Sequence, residues 1–478
     1  MAHVRLFNQH LYLPVLFLIV VEYGVFVASV YFGVALRFDN FNLDSVAFAD
    51  LAPRAHFFAL VMIVCSLSMG VYNTYGREGL TGMMLRTVVS SALVGAVLVS
   101  VFLYLIPSLQ LFLGRGVLAL AVGVALLLLL AVRIVFYRLI DTARLRRRVL
   151  VLGSGVRAAR MMNELLASFT SKATKRDFEI VGFVKHGGPV AVEGNVIDVP
   201  ASALHEYCAD HRVDEIVVAV DERRSGDGNG GLPVIELLDC KFKGVDVLDE
   251  LAFYEREGRR LDIRLVSTGW LVFAEGFRFS WWRDVGERGF DVFASLLLLV
   301  VSWPIMLLTV LAIKLEEGWR APVLYHQPRV GLNGAVFNVH KFRSMRVDAE
   351  RGGKAIWARQ NDDRITLVGR FIRQTRIDEL PQIFNVLRGE MSFVGPRPER
   401  PEFVDNLARS IPFYNERHRV KPGLTGWAQL CYPYGASEED AEKKLQYDLY
   451  YIKNHSLFFD FYILIRTVEV ILIGQGVR

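Results

Sequence analysis

Long stretches without charged side chains constrain the fold of this chain more than any other feature. Two of these runs contain no Asp, Glu, Lys or Arg; a third is interrupted only by Glu22, and a fourth only by Arg133 and Arg138. The four runs are residues 11–36, 57–76, 87–114 and 116–139. Each reaches the roughly 20 residues that an α-helix needs to cross the hydrocarbon core of a bilayer. The sequence therefore predicts an α-helical bundle of four membrane spans over residues 1–143.

Composition excludes several classes of protein for the chain as a whole. At 478 residues there is room for about three domains, and 53% hydrophobic residues exclude a disordered chain. The four cysteines are scattered with no CxxC pair, which excludes a disulfide-rich secreted domain and gives no metal-ligand spacing. The formal net charge of +5 is too balanced to indicate nucleic acid, so we expect no nucleic-acid partner.

Basic residues in the loops predict the orientation of the spans. Arg77 and Arg86 lie in the second loop, and four arginines lie within residues 144–148, directly after the fourth run. The positive-inside rule then places both chain ends, and everything after residue 143, in the cytoplasm. Glu22 inside the first span has two interpretations, an intramembrane function or a contact with the interface or a neighbouring helix.

Residues 144–250 alternate between strand-like and helix-like stretches. Short apolar runs predict strands at residues 149–152, 178–183 and 213–220, with helices between and after them. Strands that alternate with helices indicate a parallel α/β sheet, so we expect a Rossmann-like domain here.

The first of these strands runs into the turn Gly153-Ser154-Gly155-Val156-Arg157-Ala158, a variant of the dinucleotide-binding fingerprint. One interpretation is a nucleotide turn, in which Gly153 and Gly155 receive a phosphate at the helix N-terminus. The other is a turn that serves only packing. Val184-Lys185-His186 stand where an acidic residue for a ribose is expected. We therefore expect this domain to be regulatory or structural rather than chemical.

A fifth apolar stretch, residues 292–313, is uncharged over 22 residues. Pro304 removes one helix hydrogen bond, and the hydroxyl of Ser302 can bond a freed backbone carbonyl. Two interpretations stay open: a kinked helix that spans the membrane, or a helix broken at Ser302 and Pro304 that re-enters the same leaflet over residues of about 290–314. Residues 251–287 are expected to form a linker and interface segment.

The last part of the chain, residues 288–478, opens with a hairpin signal. Asn333-Gly334 lies between two strand-like runs and favours a type I′ turn. Lys341-Phe342-Arg343-Ser344-Met345 follows the second run directly, so its basic side chains should lie at the end of a strand.

Two adjacent carboxylates, Asp378 and Glu379, are the chemical centre of this part. Arg373 and Arg376 lie five and two residues before Asp378, and Pro381 suits the first turn of a helix. The pair should therefore lie near a helix N-terminus, where phosphate binds well, and Mg²⁺ is the simplest cation to accompany it. A carboxylate can also attack phosphorus and form an acyl phosphate. Taken alone, such a pair more often begins an ordinary surface helix, so the surrounding motifs decide.

Four motifs in this part together resemble one family. They are KFRSM (341–345), DDRIT (362–366), IDELPQIFNVLRGEMSFVGPRPE (377–399) and VKPGLTGW (420–427). The segment resembles the catalytic domain of the bacterial polyprenyl-phosphate hexose-1-phosphate transferases, also called monotopic phosphoglycosyl transferases. The predicted spans and Rossmann-like domain resemble the large form of this family. TRIDELPQ followed by GPRPERPEF is similar to its EpsB type, which is found with PEP-CTERM systems.

The resemblance implies an α/β monotopic transferase domain with a re-entrant membrane helix, and it implies roles for single residues. Asp378 would be the nucleophile that attacks the β-phosphate of a UDP-sugar and releases UMP, while Glu379 would hold Mg²⁺. Ser302 and Pro304 match the helix-break region, although Trp303 intervenes, and Glu287 stands where the family often has Lys. The candidates for binding substrate phosphates are Lys341, Arg343, Arg364, Arg373, Arg376 and Arg397.

The implied setting is the bacterial inner membrane, with a multi-pass chain and the catalytic domain on the cytoplasmic face. The implied partners are a UDP-sugar, undecaprenyl phosphate and membrane lipid, and the implied product would initiate exopolysaccharide assembly. A homodimer and contacts with other polysaccharide-assembly proteins are expected by analogy. Glucose is the first expectation for the transferred sugar and galactose the second, and an N-acetylated sugar is a further alternative. Residues 457–473 fit either an amphipathic helix on the bilayer or a helix packed on the core.

Three other functions were weighed against this one. A membrane-bound nucleotide-sugar dehydratase would need a Tyr-x-x-x-Lys pair, and none of the 17 tyrosines has Lys four residues later. A glycosyltransferase that releases UDP would usually carry a D-x-D metal site, which the chain lacks in a convincing context. A scaffold with a decayed transferase domain would not be expected to keep Asp378, Glu379 and the basic residues around them.

Overall fold

A computed structural model describes most of the chain. The described residues are 3–6, 9–38, 51–68, 71–73, 84, 87–91, 99, 114–139, 146–168, 178–187, 189–221, 231–266, 268–277, 280–346, 364–432, 435 and 437–473. They form two compact units, Met1–Gly258 and Arg259–Arg478. The boundary between the units falls inside the predicted linker at residues 251–287.

The first unit begins with a two-stranded antiparallel hairpin and apolar helices. The hairpin consists of strands β1 (His3–Leu6) and β2 (Gln9–Tyr12). Helices α1 (Leu13–Phe38) and α2 (Leu51–Ser68), a short 3-10 turn (Val71–Asn73) and helix α3 (Arg115–Leu139) follow. A helix satisfies all its backbone groups internally, which is why apolar runs of this length fold as helices. Helices α1 and α3 contain segments long and apolar enough to cross a membrane, whereas α2 is shorter.

Two of the four predicted spans are thus supported by α1 and α3. The second predicted span is an 18-residue helix, shorter than expected. The third, at residues 87–114, lies almost entirely outside the described residues.

A buried ion pair links α1 to α3. Glu22 accepts hydrogen bonds from Arg133 at 2.5 Å and 2.7 Å, and from the hydroxyl of Tyr72 at 2.5 Å. Arg133 also donates to the hydroxyl of Thr87. Both charged side chains are almost fully buried. Glu22 therefore contacts a helix neighbour, one of the two interpretations that its sequence position left open.

The α/β part of the first unit is a five-stranded sheet whose strand order is β5-β4-β3-β6-β7, and every pairing is parallel. Its strands β3 to β7 are Arg147–Leu152, Phe178–Val184, Val196–Ile197, Glu215–Val218 and Asp246–Asp249. Helices α4 to α7 are Val156–Ser168, Leu204–Asp210, Val234–Phe242 and Glu250–Gly258, with a 3-10 turn at Ala201–Ala203. The predicted parallel sheet is confirmed. The chain reverses its order between β3 and β6, which is where such sheets bind ligands.

The second unit begins with α8 (Thr268–Phe273) and the 37-residue helix α9 (Trp281–Glu317). Helix α9 is the third described helix that is long and apolar enough to cross a membrane. It continues through Pro304 without interruption, so the predicted break at Ser302 and Pro304 is not found. The Ser302 hydroxyl contacts the sulfur of Met306 at 3.8 Å instead of a freed backbone carbonyl. An apolar setting favours internal backbone hydrogen bonds and tolerates one proline within a long helix.

An antiparallel hairpin follows, formed by β8 (Leu324–Val330) and β9 (Val336–Phe342). Asn333 has φ 53° and ψ 27°, Gly334 has φ 81°, and a backbone hydrogen bond of 3.1 Å closes the turn. Positive φ at both central residues is the property of a type I′ turn, so the turn predicted from Asn-Gly is confirmed.

Most of the remaining short elements of this unit pack around a hydrophobic core that includes Met391, Trp427 and Ile463, and a smaller core contains Ile313, Phe342 and Ile372. The strands β10 and β11 pair in parallel. In chain order, the first elements are α10 (Leu367–Gln374), a 3-10 helix (Ile377–Gln382), α11 (Ile383–Arg388), β10 (Ser392–Val394) and α12 (Pro401–Ser410). They are followed by a second 3-10 helix (Tyr414–Arg419), β11 (Gly423–Thr425), α13 (Trp427–Cys431), α14 (Glu438–Lys453) and α15 (Leu457–Ile473). Helix α15 buries Ile463 completely, so at least that face packs on the core.

Candidate active site

The two adjacent carboxylates lie in a short 3-10 helix between α10 and α11. Arg376, immediately before this helix, adopts a left-handed conformation with φ 59°, which turns the chain sharply after α10. Asp378 and Glu379 occupy the first turn, and Pro381 lies within the same 3-10 helix. Helix α11 follows directly, so the pair lies just before a helix N-terminus, as its sequence position predicts.

The carboxylate of Glu379 is surrounded by cations from three parts of the chain. Its Oε1 lies 3.2 Å from the Nζ of Lys341 at the end of β9, and 3.3 Å from Nη2 of Arg397 after β10. Nη1 of Arg376 lies 3.8 Å from the same oxygen. The structure thus brings three cationic residues from different parts of the sequence together around one carboxylate.

These neighbours determine the charge of Glu379. Burial alone would raise the pKa of Glu379, but Arg397, Lys341 and Arg376 outweigh burial and lower that pKa to about 2. Glu379 is therefore ionised throughout the physiological range. Burial also lowers the pKa of Lys341, while the negative charge of Glu379 opposes that shift.

Asp378 has a different environment. Burial and the adjacent charge of Glu379 raise its pKa, while Lys341, Arg373 and Arg376 oppose the rise. Among the described residues, none forms a hydrogen bond with its carboxylate. A partly buried carboxylate whose oxygens are not occupied by donors is suited to act as a nucleophile.

The charge balance of the cluster suits phosphate. Lys341, Arg373, Arg376 and Arg397 give four positive charges that act on the two carboxylates, which leaves two in excess. The two positive charges in excess can neutralise the negative charge on the oxygens of a diphosphate.

Two further residues predicted to bind phosphate make the following hydrogen bonds. Arg343 donates from Nε to the carbonyl oxygen of Pro322 at 3.0 Å. Arg364 lies at the edge of the described segment, and its carbonyl oxygen accepts a hydrogen bond from the N–H of Arg346. Neither bond involves the two carboxylates.

The donor set for a metal ion consists of the two carboxylates alone. In the described part of the chain, no group of three or more His, Cys, Asp or Glu side chains is arranged to hold a metal. The three contacting cations all lie against Oε1 of Glu379, so its Oε2 has no hydrogen-bond partner among the described residues. Mg²⁺ is commonly held by one or two carboxylates together with substrate phosphates, and the residues present fit that arrangement.

Sequence analysis missed Arg417 and Asp448, which form a buried ion pair at 2.9 Å. Arg417 also donates to the carbonyl oxygen of Arg397, one of the cations at the site. No local motif marks this contact, since its partners are far apart in sequence. The sequence carries no signal for it at Arg417, whose neighbours Glu416 and His418 are themselves polar.

The glycine turn of the first unit is hydrogen-bonded by a side chain of the same domain. The carboxylate of Asp221, just after β6, accepts hydrogen bonds from the backbone N–H groups of Val156 at 2.9 Å and Arg157 at 2.8 Å. A Cβ added to Gly155 would lie 1.8 Å from the Oδ2 of Asp221, and Gly153 has φ 120°. An internal carboxylate therefore lies where a nucleotide phosphate would bind.

Comparison with known proteins assigns the second unit to a family. Residues 282–474 match the family model described as bacterial sugar transferase. Over 191 residues the chain is 44% identical to the UDP-glucose:undecaprenyl-phosphate glucose-1-phosphate transferase of Caulobacter vibrioides, covering 40% of this chain and 70% of that protein. The chain belongs to the bacterial sugar transferase family.

Other members of the bacterial sugar transferase family are also similar. The N-acetylgalactosaminephosphotransferase of Aeromonas hydrophila, which is named for UDP-N-acetylgalactosamine and undecaprenyl phosphate, is 47% identical over 192 residues, 40% of this chain and 45% of that protein. The undecaprenyl-phosphate glucose phosphotransferase of Komagataeibacter xylinus is 34% identical over 336 residues, 69% of this chain and 59% of that protein. The chain thus spans about half the length of these two relatives.

Proposed function

We propose that this chain transfers a hexose-1-phosphate from a UDP-sugar to undecaprenyl phosphate and releases UMP. The observation that carries the proposal is the ionised Glu379 surrounded by cations, with the partly buried Asp378 beside it. Its relatives are named for this class of transfer, including glucose-1-phosphate transfer from UDP-glucose to undecaprenyl phosphate.

In the first step, an oxygen of the Asp378 carboxylate attacks the β-phosphorus of the UDP-sugar. The bond from that phosphorus to the oxygen that bridges the two phosphates breaks, and UMP leaves with the electron pair. The product on the protein is an acyl phosphate that carries the sugar. Lys341, Arg373 and Arg397 bind the phosphate oxygens and stabilise the charge that develops on them.

In the second step, a phosphate oxygen of undecaprenyl phosphate attacks the phosphorus of the acyl phosphate. The bond between phosphorus and the Asp378 oxygen breaks, which regenerates the carboxylate and yields undecaprenyl-diphosphate-sugar. Dividing the transfer into two displacements lets one carboxylate serve both substrates.

Glu379, together with the donor phosphates, would hold Mg²⁺, which when bound supplies positive charge to the diphosphate. Glu379 has a second role that its contacts support. It holds Lys341 and Arg397 in place beside Asp378 through contacts of 3.2 Å and 3.3 Å.

The proposed location is the cytoplasmic face of a bacterial inner membrane. UDP-sugars are cytoplasmic, while the phosphate of the lipid acceptor lies at the headgroup plane, so a site on the inner leaflet reaches both. Helix α9 exposes Val300, Trp303 and Leu308, which suits contact with lipid. We propose that α9, although continuous, bends at Pro304, where proline removes one helix hydrogen bond, and so re-enters the leaflet rather than crossing it.

The proposed biological role is to initiate exopolysaccharide repeat-unit assembly, in the manner of the EpsB type. The donor sugar is proposed to be glucose, in agreement with the names of the Caulobacter and Komagataeibacter relatives. The Aeromonas relative, named for N-acetylgalactosamine, makes that sugar the next to test.

The experiment that tests the proposal identifies the nucleotide that is released. Purified full-length chain in detergent receives undecaprenyl phosphate, Mg²⁺ and in turn UDP-glucose, UDP-galactose and UDP-N-acetylgalactosamine. We expect UMP with one of these donors. Release of UDP would establish glycosyl transfer instead and overturn the role of Asp378, while no release from folded protein with any donor would favour the scaffold interpretation.

A further inference from the structure

The segment Pro396-Arg397-Pro398 brings one cation, Arg397, to the site. Its two prolines have no backbone N–H and a fixed φ, and Pro398 also restricts Arg397 to an extended conformation. A segment of this kind cannot be held through many backbone donors. Its carbonyl oxygens remain available as acceptors that can fix its position.

Four consecutive carbonyl oxygens, those of residues 396–399, each accept a hydrogen bond from a different donor. Two donors are backbone N–H groups, and two are arginine side chains. The pairs are Pro396 with the N–H of Gly423 at 3.0 Å, Arg397 with Nη2 of Arg417 at 3.0 Å, Pro398 with Nη1 of Arg329 at 2.9 Å, and Glu399 with the N–H of Val330 at 2.9 Å.

Arg417 is itself held on several sides. Its Nη2 lies 2.9 Å from Oδ2 of Asp448 on α14, and its Nη1 donates to the hydroxyl of Tyr414 at 2.7 Å. Arg417 is 7% exposed and Asp448 is 3% exposed. The Nε of Arg417 is buried without a hydrogen-bond partner among the described residues, so the guanidinium is held through its two Nη atoms. A buried ion pair keeps a donor in one place more firmly than an exposed pair does.

We infer that Arg417 is a positioning residue for the proposed transfer, which acts by bonding the carbonyl oxygen of Arg397 and so fixing the guanidinium of Arg397 beside Glu379. This inference rests on the proposed function, because Arg397 is taken to bind the donor's phosphates. Arg417 is not a catalytic residue, since its contacts are with the backbone of Arg397 and with the buried side chains of Tyr414 and Asp448.

The test measures donor affinity and asks whether Arg417 acts through Arg397. The UDP-sugar that the parent chain turns over is titrated calorimetrically into full-length protein in the Asp378→Asn background, which prevents turnover. The variants are Arg417→Lys, Arg397→Ala and the double change. Lysine keeps the charge but cannot reach all three partners of the arginine. Arg419→Lys is the matched control, because Arg419 is 62% exposed and pairs with Glu416 at 3.0 Å.

We expect Arg417→Lys to raise the dissociation constant by about tenfold, the effect of one lost charge-assisted hydrogen bond, and Arg419→Lys to leave it unchanged. In the Arg397→Ala background, Arg417→Lys should have no further effect. If each substitution raises the dissociation constant by its own factor and the two factors multiply in the double variant, Arg417 acts on the fold in general and the inference is wrong. An unchanged affinity in Arg417→Lys alone would contradict it as well.

Tyr414→Phe provides a milder variant if Arg417→Lys does not fold. It removes only the hydroxyl that accepts from Arg417 and keeps the ring over which the guanidinium lies, 5.1 Å from the centroid. A smaller rise in the dissociation constant that again disappears with Arg397→Ala supports positioning, and an equal effect in both backgrounds contradicts it. Failure of the proposed function is distinguishable, because the parent chain would then release no UMP with any donor.

Discussion

Asp378 and Glu379 are neighbours in sequence, yet their carboxyl groups have opposite surroundings. Three cations lie around Glu379 and lower its pKa to about 2, whereas burial and the charge of Glu379 raise the pKa of Asp378. Environments that push two pKa values apart commonly assign two different roles. Glu379 is the stable negative charge that organises the cations, and Asp378 is the group left to react.

Asp378→Asn tests that division at the reacting group. An amide oxygen is a poor nucleophile, so turnover should fall to below about a thousandth of the parent rate, and no phosphosugar adduct should form on the protein. UMP release and intact-protein mass spectrometry with labelled donor measure both effects. Asp405→Asn, an exposed change on α12, is the control and should keep the parent rate. An adduct on the Asp378→Asn protein would show that another residue is the nucleophile.

Glu379→Gln tests whether the negative charge of Glu379 holds the surrounding cations, and the free energy of unfolding is the quantity measured. The pKa of Glu379 is about 2 in the folded protein, below the value of about 4.3 in the unfolded chain. The stabilisation that its negative charge gives the fold is therefore complete above the unfolded pKa and is lost as the pH falls through the folded pKa. The variant should lack this loss between about pH 4.5 and pH 2, and at pH 7 its free energy of unfolding should be lower by about 2 kcal/mol. Thermal unfolding against pH measures this.

The control for that measurement is Glu416→Gln. Glu416 is 40% exposed and pairs with Arg419, so its removal should change the free energy of unfolding by less than about 0.5 kcal/mol. Equal acid profiles for the parent and Glu379→Gln would contradict the assigned charge.

At the scale of elements, the sequence was informative where local chemistry decides the structure. Asn333-Gly334 predicted a type I′ turn because both residues tolerate positive φ, and the parallel sheet followed from strands that alternate with helices. The helix start near Asp378 and Glu379 followed from Pro381. The sequence left open whether the helix breaks at Pro304; the structure shows that it continues, because one proline can be tolerated within a long apolar helix.

Contacts between distant residues could not be predicted from the sequence. Glu22 and Arg133 were visible as charges within apolar runs, but their pairing depends on how α1 packs on α3. Arg417 donates to the carbonyl oxygen of Arg397 only because the intervening chain folds back. Asp221 reaches the glycine turn from the strand beside it, and no spacing rule connects it with Gly155.

Removal of the Asp221 carboxylate tests whether this group, and not a nucleotide, is the anion bound at the glycine turn. Asp221→Ala leaves the N–H groups of Val156 and Arg157 without their acceptor, which should lower the free energy of unfolding by about 1 kcal/mol, the typical effect of removing a helix cap. Added inorganic pyrophosphate should raise the unfolding temperature of this variant but not that of the parent. The parent should not bind NAD at millimolar concentration. Calorimetry and thermal unfolding measure these effects.

Asp198→Ala is the control for the glycine turn, because Asp198 is exposed on the same domain. It should show neither the loss of stability nor the response to pyrophosphate. NAD binding to the parent chain would contradict the internal carboxylate as the resident anion, and so would an unchanged unfolding temperature in Asp221→Ala.

For the whole molecule, the decisive question is on which side of the membrane each unit lies. Basic residues in the loops predict a cytoplasmic location for the α/β domain of the first unit, and the proposed reaction needs the second unit there too. Helix α9, with its 37 residues, is long enough to carry the second unit across the membrane. If α9 re-enters the leaflet instead, both units face the same compartment.

Single cysteines can decide between these arrangements. In a background with the four native cysteines replaced by alanine, Glu206→Cys reports on the first unit and Asp405→Cys on the second, since both positions are exposed. A membrane-impermeant maleimide should label neither variant in intact spheroplasts and both in inverted vesicles. Labelling of Asp405→Cys alone in spheroplasts would mean that α9 spans the membrane. The catalytic carboxylates would then lie outside the cytoplasm, away from UDP-sugars, and the proposed transfer could not proceed as described.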